Sequence, residues 1–388
     1  MNETPKSERV HIVFFGKRNA GKSSLINAVC GQRVSIVSDV LGTTADPVTK
    51  AMELDNLGAV MLVDTAGIDD AGTLGEMRVE KTIKMIDKTD VAVLVTDGAL
   101  TSADKELILK FKEKNIPYIV AHNKCELNFQ KKALSDNEVY VSAKENINID
   151  VLKSKLSEMG NGKLLRRIIG DFVKENDIIL LVTPIDESAP KGRLILPQQQ
   201  TIRDILDSDG ICITVKETQL SEALKKVTPK LVITDSQVFS KVSEIVPENI
   251  PLTSFSILFA RYKGNLWENV KGAKIIDSLC DGDTVLISEA CTHHRKCEDI
   301  GTVKIPALIK KYTKKSVNFE FTSGGDFPED LKKYKLIIHC GGCMITEREM
   351  KSRIEKAMAE KIPITNYGVA ISYMNGILER ATKIFNEF

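Results

Sequence analysis

The chain has 388 residues, and its 54 Lys and Arg residues nearly balance its 53 Asp and Glu residues, for a net charge of +1. This balance gives no electrostatic reason to expect a nucleic acid or an anionic membrane as a partner. No apolar run approaches the roughly 18–20 residues of a membrane span, and the N-terminus lacks the apolar core of a secretory signal. We therefore expect a cytoplasmic protein of about two to four domains, whose eight cysteines are not disulfide-bonded.

Short apolar runs alternate with helix-like stretches along the whole chain, a pattern typical of parallel sheets covered by helices. The predicted strands fall into three groups: residues 10–15, 59–63, 91–96, 117–121 and 138–141, then 178–182, 211–215, 231–234 and 252–254, then 284–288, 317–321, 336–339 and 362–365. We expect three successive α/β domains, over residues 1–168, 169–268 and 269–388.

A glycine-rich segment directly follows the first predicted strand. Gly16-Lys-Arg-Asn-Ala-Gly21-Lys22-Ser23 fits the pattern G-x-x-x-x-G-K-S and precedes a helix-like stretch at 24–29. Backbone N–H groups of such a turn and the positive end of the following helix surround phosphate groups. Lys22 would reach the β- and γ-phosphates, and the Ser23 hydroxyl would bind Mg²⁺. The motif predicts that the first domain has a P-loop fold with a mostly parallel sheet.

Three further motifs follow later predicted strands of this domain. They are Asp64-Thr65-Ala66-Gly67, Asn123-Lys124-Cys125-Glu126 and Ser142-Ala143-Lys144. All would lie at the carboxyl ends of parallel strands, where open sheets bind ligands. Asp64 would hold the metal through water, and the Gly67 N–H would sense the γ-phosphate. Together with the P-loop, the set resembles the GTPase motifs, in which N-K-x-D and S-A-K select guanine. Position 126 is Glu where the GTPase pattern has Asp, so its carboxylate lies one methylene further out.

The segment at 37–47 resembles the first switch of the Era/TrmE-like GTPases, although Ala45 replaces the arginine of their G-T-T-R-D signature. This resemblance implies Thr44 as a Mg²⁺ ligand, with Thr43 as the second choice, and Asn19 as a K⁺ ligand. Because Ile68 stands where Ras-like proteins have glutamine, K⁺ would supply positive charge to a slow GTP hydrolysis. The implied GTP-binding residues are Asn19, Ala20, Gly21, Lys22, Ser23, Ser24, Asp64, Thr65, Ala66, Gly67, Asn123, Lys124, Glu126, Ser142, Ala143 and Lys144. The implied catalytic residues are Lys22, Thr44, Asp64 and Gly67.

Four of the eight cysteines lie within the last hundred residues. They occur in Cys291-Thr-His293-His294-Arg-Lys-Cys297-Glu298 and in His339-Cys340-Gly-Gly-Cys343. A C-x-x-C preceded by His, with a distant C-x-H, is typical of metal ligands. Each group follows a predicted strand of one sheet, and adjacent strands lie about 5 Å apart, so both would reach one metal centre. The remaining cysteines are predicted to be packing residues: Cys30, Cys125, Cys212 and Cys280.

The spacing leaves the nature of the metal open. Zinc would take four ligands, for example Cys291, Cys340, Cys343 and His293. A 4Fe-4S cluster would take the three thiolates and leave one iron for an exchangeable ligand. A thiol–disulfide function for the C-x-x-C would leave the second ligand group unexplained.

The whole chain resembles the HydF family of FeFe-hydrogenase maturation GTPases. It has an Era/TrmE-type GTPase, a middle α/β domain and a C-terminal domain in which about 45 residues separate C-x-H from H-C-x-x-C. The resemblance implies that Cys291, Cys340 and Cys343 hold a 4Fe-4S cluster, with His293 or Glu298 as fourth ligand and with His339 and Cys297 less favoured. It also implies a homodimer formed by the middle domain, whose β-branched strands such as Ile178–Val182 would pair across an edge.

In function, the resemblance implies a scaffold or carrier. It would receive a diiron subcluster precursor assembled with radical-SAM maturases and deliver it to apo FeFe-hydrogenase, with the GTPase domain gating these encounters. The alternative is a regulatory GTPase whose C-terminal Cys/His set is a structural zinc site that binds a protein partner.

Overall fold

The computed structural model describes residues 4–31, 47–68, 79, 81–127, 134–160, 166–185, 194–290 and 299–386. The chain divides into two compact units, Met1–Arg166 and Arg167–Phe388. No helix in these described ranges combines the length and the apolar content that crossing a bilayer requires.

The first unit is built on one six-stranded sheet in the order β2-β3-β1-β4-β5-β6. Its strands are β1 (Val10–Phe15), β2 (Val48–Leu54), β3 (Gly58–Asp64), β4 (Val91–Thr96), β5 (Tyr118–His122) and β6 (Glu138–Tyr140), and its helices include α1 (Lys22–Cys30), α2 (Ser102–Glu113) and α3 (Ile149–Gly160). All pairings are parallel except that of β2 with β3. The predicted mostly parallel sheet is confirmed, and the antiparallel edge strand β2 is an addition to the prediction.

The second unit contains two four-stranded parallel sheets with the same topology. The middle sheet has the order β10-β9-β7-β8, and the third sheet has the order β12-β11-β13-β14. Their strands are β7 (Ile178–Val182), β8 (Ile211–Val215), β9 (Leu231–Thr234), β10 (Leu252–Ser254), β11 (Thr284–Ser288), β12 (Asn318–Thr322), β13 (Leu336–His339) and β14 (Ile364–Asn366). In each sheet the first strand lies between the next two along the chain. The expected series of three α/β sheets is confirmed, while the domain boundaries at 168 and 268 stay a prediction.

Helices surround both of these sheets. Those in the described residues are α4 (Leu196–Leu206), α5 (Leu220–Lys226), α6 (Phe239–Ile245), α7 (Phe255–Lys263), α8 (Leu266–Lys274), α9 (Ile305–Thr313), α10 (Glu347–Ala359), α11 (Tyr367–Met374) and α12 (Leu378–Thr382). The two sheets share apolar packing, because Val369 of α11 and Leu378 and Ala381 of α12 belong to the core of the middle sheet. The Thr253 hydroxyl of β10 also donates to the Ala381 carbonyl at 2.8 Å. The last helices therefore join the two sheets into one unit.

The edges of the middle sheet correct one prediction. Ile178–Val182 is β7, and it pairs with β8 on one side and β9 on the other, so it has no free edge for a second copy. The exposed edge belongs instead to β8, at the end of the sheet. Its Ile211 N–H donates to the Asp177 carbonyl. Because backbone groups of a strand alternate in direction, the N–H group of Thr214 points away from β7.

Candidate functional site

Two glycines shape the P-loop between β1 and α1. Gly16 has φ +140° and Gly21 has φ +94°. A Cβ atom at Gly16 would lie 2.2 Å from the Val95 carbonyl oxygen, and one at Gly21 would lie 2.2 Å from Asn123 Nδ2. Only glycine accepts both the backbone conformation and the close approach. The two glycines of the motif are therefore required by the packing of this loop against β4 and β5.

The Lys22 side chain folds back over this loop. Its ammonium donates to the Gly16 carbonyl at 3.0 Å and to the Lys17 carbonyl at 2.7 Å, and the side chain is buried. Helix α1 begins at Lys22, so the N–H groups of its first turn open toward the same place. The loop, the helix terminus and the ammonium together form a cradle for phosphate oxygens.

Ser23 and Asp64 form a pair of oxygen donors beside the cradle. The Ser23 hydroxyl donates to Asp64 Oδ2. Asp64 Oδ1 is buried and has no hydrogen-bond partner in the described part of the chain. Burial raises the pKa of the Asp64 carboxyl, although the Ser23 hydrogen bond and the charges of Lys22 and Lys50 oppose this effect. A divalent cation would offset the cost of the buried charge, and this oxygen set fits Mg²⁺.

Asn123 connects three loops at the carboxyl edge of the sheet. Its Nδ2 donates to the Ala20 carbonyl at 2.9 Å, and its Oδ1 accepts from the Ala143 N–H at 3.1 Å. The neighbouring Lys124 has φ +60°, and its ammonium donates to the Asn19 carbonyl at 2.9 Å and to Asp97 at 2.7 Å. The loops after β1, β5 and β6 are thereby held together, as the three motifs predict.

Glu126 retains the acceptor chemistry expected of an aspartate at its position. A hydrogen bond from the Ser142 side chain lowers the pKa of the Glu126 carboxyl. Ser142 Oγ in turn accepts from the Glu145 N–H at 3.0 Å. The other carboxylate oxygen, Oε2, is buried and lacks a hydrogen-bond partner among the described residues. A charged carboxylate with an open acceptor suits the N1–H and 2-amino donors of guanine.

The remaining predicted nucleotide contacts have varied surroundings. Thr65 donates to the Phe14 carbonyl at 2.7 Å and so braces β1. The Ile68 N–H donates to the Gly16 carbonyl at 3.3 Å, which ties the loop after β3, with Ala66 and Gly67, to the P-loop. Three predicted contact residues are exposed: Asn19, Ser24 and Lys144. Thr43 and Thr44 lie outside the described residues.

The described half of the predicted cysteine site, His339-Cys340-Gly-Gly-Cys343, lies at the carboxyl end of β13, next to β11. These strands are neighbours, with Ser288 paired to His339, as the spacing argument requires. The Cys340 sulfur accepts hydrogen bonds from the Ala290 N–H at 3.1 Å and from the Gly342 N–H at 3.4 Å. A sulfur that accepts two backbone N–H groups fits a thiolate that ligates a metal or an iron–sulfur cluster. The loop after β11 thus begins against the first cysteine of the C-x-x-C.

The other half of the predicted ligand set, Cys291, His293, Cys297 and Glu298, lies outside the described residues. Within the described ranges, no three His, Cys, Asp or Glu side chains converge on one point. The four other cysteines are reduced, and Cys280 is exposed. The prediction that Cys280 is a packing residue is wrong, because it lies at the surface turn before β11, where its sulfur donates to the Ser278 carbonyl.

His339 is a structural residue of this site. It is 1% exposed, and its Nδ1 lies 2.7 Å from the Cys340 carbonyl, which can only accept. The proton is therefore assigned to Nδ1, and Nε2 accepts from Arg353 at 3.2 Å. Burial and the Arg353 charge lower the pKa of His339 to about 3. Both ring nitrogens are engaged, which agrees with its low rank as a ligand.

A buried ion pair next to His339 was not foreseen. Arg353, 4% exposed, donates to Glu349 Oε1 and to the Gly324 carbonyl, each at 2.8 Å. Both charged residues lie on α10, which begins after Thr346, with the Thr346 hydroxyl accepting from the Glu349 N–H. The spacing of four residues was visible in the sequence. Its burial was not, because the residues that cover it come from loops far away in the chain.

A second unforeseen group is the buried carboxylate of Glu289. The Tyr367 hydroxyl donates to it at 3.3 Å. Gly301 permits this contact, because a Cβ atom there would lie 2.2 Å from the Tyr367 hydroxyl oxygen. Burial raises the pKa of Tyr367, and the Cys340 and Glu289 charges add to the effect. Glu289 directly precedes Ala290, whose N–H donates to the Cys340 sulfur, and it lies two residues before Cys291 in the chain.

Comparison with known proteins separates the GTPase region from the remainder. The family model of the 50S ribosome-binding GTPase matches residues 11–124. The tRNA modification GTPase MnmE of Laribacter hongkongensis is 33% identical over 158 residues, 39% of this chain and 35% of that protein. GTPase Der of Wolinella succinogenes is 37% identical over 177 residues, 40% and 36% of the two chains. The chain thus spans about a third of the length of these curated relatives.

Solved structures with partial similarity to the chain include Era and a FeoB domain. A variant of Aquifex aeolicus Era bound to GDP.AlF4- has 20% identity and a TM-score of 0.33, and the match covers 53% of this chain and 92% of that chain. The G domain of the T. maritima FeoB iron transporter has 20% identity and a TM-score of 0.32, with 39% and 98% coverage.

The first unit is a GTPase domain, which implies GTP and Mg²⁺ as its ligands. The second unit matches two further family models, the hydrogen maturase F dimerization domain at residues 168–264 and the hydrogen maturase F tetramerization domain at 267–384. These two matches together span more than half of the chain, which therefore belongs to the hydrogen maturase F family. This membership implies a role in hydrogenase maturation and self-association of the chain.

The buried neutral His339 predicts a pH dependence of stability. Below its ordinary pKa of about 6.5 the unfolded chain binds a proton at this residue and the folded chain does not. The stabilisation that comes from the neutral imidazole is therefore fully present above pH 6.5 and is lost as the pH falls, by roughly 1 kcal/mol between pH 7.5 and 5.5. We expect His339→Gln to remove this component, so that its free energy of unfolding changes less with pH than that of the wild type. Urea unfolding of the metal-free protein, followed by the fluorescence of Trp267, the single tryptophan, measures it. Equal pH dependence in both proteins would contradict the assignment.

Proposed function

We propose that this chain is a GTP-hydrolysing scaffold that binds a 4Fe-4S cluster, receives a diiron subcluster precursor and delivers it to apo FeFe-hydrogenase. The observation that carries the proposal is the meeting of the loops after β11 and β13, where Ala290 N–H donates to the Cys340 sulfur. Cys291 is the next residue after Ala290. The residue before Cys291 and the first cysteine of the C-x-x-C thus meet at one end of the third sheet, at the point where its strand order reverses.

In the proposed GTPase reaction the protein positions charge rather than forming covalent bonds. Lys22 contacts the β- and γ-phosphates, and Ser23 and Thr44 bind Mg²⁺, with Asp64 holding the metal through water. The Gly67 N–H contacts the γ-phosphate. Asn19 provides an amide oxygen for K⁺, and its exposed position at the P-loop and its link to Lys124 support this assignment.

The remaining predicted GTP contacts bind the phosphates and the guanine base. The P-loop residues Ala20, Gly21 and Ser24, together with Thr65 and Ala66, complete the phosphate side. Asn123, Lys124, Glu126, Ser142, Ala143 and Lys144 form the base side.

Cys291, Cys340 and Cys343 would hold the 4Fe-4S cluster. When bound by these three cysteines, the cluster would offer one iron with an exchangeable coordination position. We propose His293 or Glu298 as the fourth ligand, and the structure adds Glu289 as a third candidate. Support for Glu289 comes from its burial, from the Tyr367 hydroxyl that donates to it, and from its place directly before Ala290, whose N–H donates to the Cys340 sulfur. His339 is not a candidate, because both of its ring nitrogens are engaged.

We further propose that the region 169–268 forms the homodimer and that region 269–388 carries the cluster, while the GTP state of region 1–168 controls encounters with radical-SAM maturases and apo hydrogenase. Strand β8 is the proposed dimer edge. Its side chains are half-exposed or exposed, and it ends the sheet. Exposed edges with unpaired backbone groups favour pairing with a second strand.

The first prediction from the proposed function concerns the monovalent cation. We expect GTP hydrolysis to be slow in NaCl and about tenfold faster in KCl, because K⁺ adds positive charge at the transition state. Asn19→Ala should remove most of this stimulation while leaving the rate in NaCl nearly unchanged. Phosphate release at matched ionic strength measures both effects. Equal rates of the wild type in the two salts would disprove the proposed role of K⁺.

The second prediction concerns the metal centre. Protein purified without oxygen should be brown and, after reconstitution, hold about four irons and four sulfides per chain. Replacement of Cys291, Cys340 and Cys343 by Ala should abolish the cluster and leave GTP turnover within about twofold, because the two sites lie on different sheets. Metal analysis, visible absorption and phosphate release are the measurements. Colourless protein with one zinc per chain would favour a regulatory GTPase with a structural zinc site.

The third prediction concerns the dimer. Thr214→Pro removes an outward N–H of β8 but no bond to β7, so it should weaken the dimer by at least about tenfold while the fold persists. Thr214→Ala removes the same side chain and keeps the N–H, and it should dimerise normally. Light scattering after gel filtration distinguishes monomer from dimer. An unchanged dimer in the proline variant would show that β8 is not the contact.

A further inference from the structure

Lys263 is a buried lysine whose contacts are not explained by the nucleotide site or by the predicted ligand set. It is the last residue of α7, within the segment that matches the dimerization domain, and its side chain is 2% exposed. The chain carries 54 Lys and Arg residues, and such side chains are almost never fully buried without a specific interaction.

The ammonium of Lys263 contacts the cysteine loop. It donates to the carbonyl oxygens of Gly342 and Cys343, each at 3.4 Å, and of Ile345 at 3.2 Å. These three acceptors surround the second cysteine of the C-x-x-C, about 80 residues further along the chain. The Lys263 side chain, from the dimerization segment, thus binds the loop that carries Cys343.

The packing around this contact is close. A cavity of about 10 Å³ between α7, α8 and the loop, lined in part by Phe259, Asn269, Cys340 and Gly341, is close to the minimum for one water molecule. Gly264, directly after Lys263, approaches α10, where a Cβ atom would lie 3.0 Å from the Ile354 side chain. The end of α7 therefore packs closely against α10 at the residue next to Lys263, and the Lys263 side chain itself is 2% exposed.

Burying the Lys263 ammonium carries a desolvation penalty. An unbranched apolar side chain of the same length would fill the space without the desolvation penalty. The ammonium adds a fixed positive charge beside the backbone of a cysteine whose thiolate is negative. A cluster held by thiolates gains negative charge on reduction, so a nearby cation stabilises the reduced form.

We propose that Lys263 is a positioning residue of the iron–sulfur site, which holds the Cys343 loop through its carbonyl oxygens and raises the reduction potential of the cluster. This inference rests on the proposed function, because it requires a cluster at Cys340 and Cys343. It also makes the dimerization segment part of the cluster site, since α7 supplies the ammonium that binds the loop carbonyls.

Four variants distinguish the two roles of Lys263, which are its hydrogen bonds to the loop carbonyls and its positive charge. Lys263→Met removes both, Lys263→Gln keeps a donor and removes the charge, and Lys263→Arg keeps both. Lys271→Met is the matched control, because Lys271 lies on the exposed side of the neighbouring α8 in a surface pair with Glu268.

The first measurement uses metal-free protein and needs no cluster. Hydrogen exchange of the loop 340–345 should be at least about tenfold faster in Lys263→Met than in the wild type, because three hydrogen bonds to a charged donor are lost. Exchange in Lys263→Arg should stay within about twofold of the wild type, and Lys271→Met should not change it. If Lys263→Met fails to fold, as judged by Trp267 fluorescence, Lys263→Gln provides this measurement.

The second measurement is the midpoint potential of the reconstituted cluster, followed by electron paramagnetic resonance. The potential should be lower in Lys263→Met and Lys263→Gln than in the wild type, and unchanged in Lys263→Arg and Lys271→Met. Unchanged exchange and potential in a cluster-loaded Lys263→Met protein would overturn the inference and leave the proposed function intact. Faster exchange with an unchanged potential would overturn the electrostatic role. A wild type that binds no cluster would refute the proposed function, whatever the exchange data show.

Discussion

Parallel pairing of neighbouring strands is the constraint on which both candidate sites depend. Because every parallel strand must be followed by a crossover, the loops that follow the strands collect at one edge of each sheet. In the first sheet this edge gathers the P-loop, Asp64, Asn123 and Ser142. In the third sheet it gathers the loops after Ser288 and His339, which are paired residues of adjacent strands. The two edges carry different side chains, but parallel strand pairing brings the loops together in both.

Both edges also contain charged groups that cost stability. At the nucleotide site the buried Asp64 carboxyl has a raised pKa and an oxygen without a hydrogen bond in the described structure. At the cysteine site Lys263 and the Arg353–Glu349 pair are buried around a loop of glycines and cysteines. Buried charge of this kind is weak evidence for stability and is often replaceable by apolar packing. Buried charged side chains at these two edges are consistent with sites that bind anions and cations.

The third sheet does not build its site alone. Residues of α11 and α12 pack in the core of the middle sheet. Lys263 at the end of α7 donates a hydrogen bond to the Cys343 carbonyl. The proposed pairing of β8 with a second copy would therefore act on a sheet whose core includes helices that follow the third sheet. The matched dimerization and tetramerization segments form one compact unit in this chain. The segments that self-associate and the residues of the proposed cluster site therefore belong to the same unit.

Much of the architecture was predictable because its signals are local. The apolar runs at Val10–Phe15, Ile178–Val182 and Thr284–Ser288 have the strand bounds that their pattern predicts, and glycines with positive φ fall where the P-loop motif has them. Strand β2 is half-exposed at the sheet edge, so it lacked the continuous apolar run that marked the others. The edge position of β8 was also hidden, because strand order depends on the path of the crossovers and not on the composition of any strand.

The sequence by itself determined which residues carry the chemistry, since motif residues and their spacing to strand ends are properties of a short stretch of chain. It assigned the phosphate loop, the guanine-selecting motifs and the paired cysteine groups. Only the tertiary structure decided how they are supported: the hydrogen bonds that engage both ring nitrogens of His339, the buried carboxylate of Glu289 with its Tyr367 hydrogen bond, and the ammonium of Lys263 on the Cys343 loop. These contacts join residues that are distant in sequence, and burial, which sets their charge and hydrogen bonding, exists only after the chain has folded.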